Sequence, residues 1–98
     1  MASYPEAAFS YERCPARLKD FRLEQLDDEL LLYHPAETKI LYLNRSASLV
    51  WGLCDGDRTV AEMTELLRQA YPEAALSIQE DVASAIRQFI EFGCIEWK

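Results

Sequence analysis

One stretch constrains the chain more than any other: Lys39–Gly56, KILYLNRSASLVWGLCDG. Ile40 to Leu43 are four apolar residues in a row, so a strand there is sticky on both faces. Asn44 follows at once, and its side-chain oxygen can accept a free first-turn amide as a helix N-cap. Ala47, Val50, Trp51 and Cys54 then recur at helical spacing, with Leu49 and Leu53 widening the stripe. Gly56 suits the positive φ that ends such a helix, and Asp57 opens the next turn. The chain before this stretch reads as strand and loop, and the chain after it as helix.

Upstream, Phe21–Leu26 alternates at Phe21, Leu23 and, less cleanly, Leu26, the pattern of a half-buried strand. Asp27-Asp28 is a polar turn. Glu29–His34 is apolar on both faces, as a central strand is. Pro35–Thr38 turns the chain into Lys39–Leu43. Short turns between three strands imply a meander of antiparallel hairpins. Downstream, Thr59-Val60-Ala61-Glu62 is a capping box that opens a second helix, and Pro72 ends it. A second box, Ser77-Ile78-Gln79-Glu80, starts a third helix with its stripe at Ile78, Val82, Ala85, Ile86 and Phe89. Gly93 stops that helix, and Cys94–Trp97 can form a short extended segment. The expected helices are Asn44–Cys54, Thr59–Tyr71 and Ser77–Phe92. The fold class is therefore α+β and winged-helix-like, three antiparallel strands followed by three helices. Residues 1–19, with Pro5, Pro15, Tyr4, Phe9 and Tyr11, show no periodicity. They read as a flexible arm before a domain at residues 20–98, or as aromatics that dock on the domain or a neighbour.

Composition narrows the function. A net charge of −7 opposes a phosphate-binding surface and anionic membranes. Between Thr59 and Trp97 the only basic residues are Arg68 and Arg87, so no helix offers a nucleic-acid recognition face. Neither a spanning run nor a signal peptide is present, and the expected location is the cytoplasm. Cys14, Cys54 and Cys94 stand forty residues apart, and His34 is the only histidine, so no metal site is expected. Cys54 and Cys94 read as core and Cys14 as exposed. His34, before Pro35, is a turn residue without a catalytic partner. No nucleophile elbow, P-loop or glycine-rich dinucleotide turn is present, so neither an enzyme nor a cofactor is expected.

Binding along an edge remains. The last strand of a meander is open on one side, and only Lys39 blunts this one. A peptide can add there as a further strand, with main-chain bonds for affinity and side-chain pockets for selectivity. The expected site is Lys39, Ile40, Leu41, Tyr42 and Leu43 on the strand, with Ala83, Ile86, Arg87 and Ile90 on the third helix as the far wall. Pairing there by the N-terminal arm or by a second copy of the chain fits the pattern equally, so the chain is a monomer or an edge-paired dimer. A winged-helix transcriptional regulator or a protein-interaction adaptor is the alternative.

The order LYLNRSASLVWGLCDGDRTVAEM, then SIQEDVASAIRQFIEFGCIEW, resembles the PqqD-like family. These are small peptide chaperones of pyrroloquinoline quinone biosynthesis and related recognition elements of other ribosomally made, modified peptides. The matching pieces are Leu43-Asn44, Trp51, Asp55-Gly56, Thr59-Val60, Glu80-Asp81-Val82, Phe89 and Gly93. The resemblance runs from about Phe21 to Trp97. It implies a non-catalytic domain that binds the leader of a precursor peptide, with the leader paired to the third strand and packed on the third helix. It also implies a modifying enzyme as partner, often a radical S-adenosylmethionine protein. The N-terminal arm has no counterpart in the resemblance.

Overall fold

The structure, a computed structural model, describes residues 9–27 and 29–98. The expected α+β architecture is present. Strands β2 (Arg22–Leu26), β3 (Glu29–Tyr33) and β4 (Ile40–Leu43) form an antiparallel sheet in the order β2-β3-β4. Leu26 pairs with Glu29 across a two-residue connection, and Asp27 takes the φ of 54° that so tight a hairpin asks for. In the central strand Leu31 and Leu32 point to opposite faces, and both are buried, at 9% and 0% exposure.

β2 departs from expectation. All five of its residues are exposed, Leu23 and Leu26 at 41% and 56%. The helices cover the β3–β4 half of the sheet, where Leu32 and Leu43 enter the core, and leave β2 as an outer edge. Phe21 lies just before the strand, with its ring edge-on to His34 and tilted against Phe92.

Helix α1 (Arg45–Leu53) starts as read: Asn44 Oδ1 accepts from the Ala47 amide at 2.8 Å. Helix α2 (Val60–Ala70) has its complete capping box, with Thr59 and Glu62 bonded reciprocally at 3.0 and 2.8 Å. Helix α3 (Ala75–Phe92) corrects the second box. It begins two residues earlier than Ser77, and its N-cap, Ala74, makes no side-chain cap bond. Pro72–Ala74 forms a 3₁₀ turn that runs directly into α3, so the chain has already turned before Ser77. Ser77 Oγ instead donates back to the Ala74 carbonyl at 3.1 Å. Gly93, at φ 83°, caps the C-terminus of α3 as expected.

The first helix ends at Leu53, ahead of Gly56, because Asp55 takes over the turn. Its carboxylate accepts from the amides of Asp57 and Arg58 at 2.9 and 3.1 Å and pairs with the Arg58 guanidinium at 2.7 Å. The bond from the Asp57 amide leads the causes that hold this carboxyl below its ordinary pKa. Gly56 has φ 84°, and an added Cβ would meet Ala16 Cβ at 3.3 Å. That contact comes from the N-terminal segment. Strand β1 (Pro15–Arg17) pairs antiparallel with β5 (Ile95–Trp97) in a second, two-stranded sheet.

The described part of the arm is therefore built into the domain. Carbonyls of Tyr11 and Arg13 accept from the first amides of α2, Ala61 and Val60, at 3.0 and 3.3 Å. Phe9 stacks edge-on with Tyr11 and Trp97. Tyr4 lies outside the described residues.

One core cluster joins all three helices to β3 and β4 through Leu32, Leu43, Val50, Trp51, Val60, Met63, Ile86 and Phe89. Cys54 and Cys94 are part of it, as expected, and Cys14 is half-buried.

Candidate functional site

β4 has one hydrogen-bonded neighbour, β3, and among the described residues no strand lies on its other side. The register decides which of its backbone groups face that open side. Antiparallel partners alternate between pairs that exchange hydrogen bonds and pairs that do not, and the closing pair of a two-residue hairpin does exchange them. Leu26–Glu29 is that closing pair, so Leu31 and Tyr33 also bond toward β2, and Leu30 and Leu32 bond toward β4. Their partners on β4 are Leu43 and Leu41. The main-chain groups of Ile40 and Tyr42 are left directed outward. Their side chains stand on the sheet face away from the helices and are 50% and 61% exposed, whereas Leu43 reaches the core.

α3 comes near the residues that flank β4. At one end Lys39 Nζ donates to the Phe92 carbonyl at 3.4 Å and lies 5.2 Å from the centre of the Phe92 ring. At the other end Asp81 of α3 shares a cleft with Asn44, Arg45 and Ser46, the residues that follow β4. Asp81 and Phe92 are eleven residues apart, which at 3.6 residues per turn puts them on one side of the helix. Gln88 falls on the same row and is exposed.

Ala83 and Ile86 are buried, at 5% and 0% exposure, and Ile90 packs against the core. The Arg87 guanidinium sits 4.7 Å from the centre of the Phe9 ring, on the side where the N-terminal segment docks. Arg87 is about 120° around the helix from Asp81. Lys39 thus meets Phe92, Asp81 shares a cleft with Asn44, Arg45 and Ser46, and Arg87 meets Phe9. Phe92 lies outside the stripe read for α3, and it is the residue that meets Lys39.

The cleft at the Asn44 end has a volume of about 420 Å³. Leu49, Val50, Leu67, Tyr71, Ile78 and Val82 give it apolar walls, drawn from all three helices. Arg45, Glu73 and Asp81 stand at its polar rim, and none of them makes an ion pair with the described residues. At the Lys39 end a wider, more polar basin contains Arg17, Lys19, His34 and Glu37. His34 serves its own turn there, with Nδ1 accepting from the Ala36 amide at 3.0 Å. Among the described residues no group of three or more His, Cys, Asp or Glu side chains could hold a metal ion, and no helix is long and apolar enough to cross a membrane.

An open strand edge beside a long helix, with an apolar cleft at its end, is the arrangement of a small α+β binding domain. The chain belongs to the PqqD family: the family model described as coenzyme PQQ synthesis protein D matches residues 29–95. Among solved structures it is similar to one described as TbiB1 in complex with the TbiA(beta) leader peptide, at 17% identity and a TM-score of 0.64, covering 83% of this chain and 94% of that one. At that identity the likeness is one of fold. No curated protein matches the sequence significantly.

Proposed function

We propose that this chain captures the leader segment of a ribosomally made precursor peptide by strand addition to β4. It then presents that peptide to a modifying enzyme, for which a radical S-adenosylmethionine protein is the family's usual class, and takes no part in the chemistry itself. The observation that carries this reading is the open β4 edge, with the main-chain groups of Ile40 and Tyr42 directed away from β3. A peptide strand laid there satisfies those groups and extends the sheet from three strands to four. Membership of the PqqD family supports it, as does the similarity to a structure described with a leader peptide.

Lys39, Ile40, Leu41, Tyr42 and Leu43 form the strand side of the site. On α3 the row Asp81, Gln88 and Phe92 faces the same groove. Ala83, Ile86, Arg87 and Ile90 act behind it, by holding α3 and the arm in place.

Proline gives a test specific to backbone pairing. It has no N–H to donate, and it is tolerated where that N–H faces away from the neighbouring strand. Tyr42→Pro should leave the sheet folded and remove the central donor of the open edge. The probe is a set of binders selected from a displayed random decapeptide library. Their affinity should fall at least tenfold in Tyr42→Pro, with the circular dichroism spectrum unchanged. Undiminished binding in folded Tyr42→Pro would rule out strand addition at this edge.

A further inference from the structure

The sheet has a second open edge. β2 lies at the end of the strand order opposite β4, and among the described residues β3 is its only hydrogen-bonded neighbour. We propose that two copies of this chain associate by pairing β2 with β2, antiparallel about a two-fold axis at Leu23. The two three-stranded sheets then become one of six strands. The β4 edges stay open at its two ends, so association and peptide capture use different edges.

Backbone, exposure and charge each fit a second copy. Leu26, Glu24 and Arg22 bond toward β3, so the main-chain groups of Leu23 and Gln25 are directed outward. Strands pair antiparallel only where outward-directed residues stand opposite one another, which leaves few registers. The register centred on Leu23 sets Leu23 against itself and Gln25 opposite Phe21. It also sets Arg22 of each copy directly opposite Glu24 of the other. That pair is not hydrogen-bonded, so its Cα atoms stand only about 4.5 Å apart and the side chains meet. Opposite charges so placed stabilise a strand pair, and like charges destabilise it. Registers centred on Arg22 or on Glu24 put that residue against its own copy. One centred on Gln25 runs into the hairpin turn, where Asp27 has a φ of 54°. Charge therefore selects one register.

Both charged residues are exposed, and neither makes an ion pair with the described residues. The Tyr33 hydroxyl donates to Glu24 Oε2 at 3.5 Å, on the sheet face that Arg22 shares. Leu23 stands beside Leu32 on the helix side, yet it is 41% exposed. The Leu23 of a second copy would cover that apolar surface.

Charge reversal tests the register. Sedimentation over a concentration series up to about 1 mM should show a monomer–dimer equilibrium, a weak one because the five-residue edge buries little surface. Arg22→Glu alone and Glu24→Arg alone should each weaken association about tenfold, since every cross-strand charge pair becomes a like pair. An equimolar mixture of the two variants should associate as the natural protein does, because every pair is opposite again. Glu24→Arg also lowers the net negative charge, so general repulsion predicts tighter association for it, the reverse outcome. Leu23→Pro, which removes an outward N–H, should abolish the dimer and leave decapeptide binding intact. Tyr42→Pro should do the opposite. A natural protein that stays monomeric, or a dimer that survives both charge reversals, would overturn the inference and leave strand addition at β4 standing. A dimer lost in Tyr42→Pro and kept in Leu23→Pro would place the contact at β4 and overturn it as well.

Discussion

Cys54 and Cys94 show how burial sets chemistry one residue at a time. Removal from water pushes both thiols up to about 12, from an ordinary 9.0. Each thiol instead donates to a carbonyl of its own neighbourhood, Cys54 to Val50 at 3.3 Å and Cys94 to Phe89 at 3.6 Å. Protonated, enclosed thiols do not react, so a thiol reagent at pH 8 should titrate one group, Cys14, in the native protein and three after denaturation. Rapid reaction of a second thiol in the native state would contradict this burial. The raised values also set a direction for stability. Below pH 9 folded and unfolded thiols are alike. As the pH rises from 9 toward 12 the unfolded chain ionises first, so stability falls across that window. Caps are equally local. Asn44→Ala should lower the unfolding free energy by about 1 kcal/mol, because the Ala47 amide loses its acceptor, and chemical denaturation would read that loss directly.

Strand, helix and cap signals differ in how much they depend on distant partners, and that decides what the sequence could announce. Asn44, Thr59 and Gly93 act within one turn of themselves, and each was legible as a helix boundary. Ser77 was not, because the 3₁₀ turn at Pro72–Ala74 had already begun the helix and left the box without its task. Leu23 and Leu26 carried the alternation of a half-buried strand, yet all of β2 is exposed, and coverage is a tertiary fact. The position of β4 as the last strand was legible from strand order, whereas the contact of Lys39 with Phe92 was not, because a stripe shows what is buried and not which neighbour a flanking residue meets. The edge itself makes a prediction by contrast. Leu41 bonds toward β3 and Tyr42 away from it, so Leu41→Pro should cost about 3 kcal/mol or more of stability, while Tyr42→Pro costs far less. Equal losses in thermal unfolding would mean that the alternation has been assigned to the wrong residues.

At the scale of the whole molecule, the described N-terminal segment is tied to the C-terminal strand and to α1. β1 pairs with β5, the Lys98 amide donates to the Cys14 carbonyl at 2.8 Å, and the Arg17 guanidinium donates to the carbonyls of Trp51 and Gly52 at 3.0 and 2.9 Å. Arg17 therefore places a cation on the C-terminal end of α1, where the helix dipole favours one. The cations of α2 and α3 are likewise engaged within the fold, Arg68 with Gln79 and Glu65, and Arg87 with Phe9. With a net charge of −7, the protein should show no measurable affinity for duplex DNA even at 50 mM salt, and a salt-sensitive complex would revive the regulator reading. Truncation separates the arm from the groove. Removing residues 1–13 deletes Phe9 and the two carbonyls that receive the first amides of α2, so stability should fall by about 2 kcal/mol. The β4 edge and the cleft keep their residues, so affinity for the selected decapeptides should change less than twofold in the truncated, folded protein. A marked rise in affinity would mean that the removed segment competes for β4. A marked loss would mean that Phe9 and Arg87 belong to the binding site.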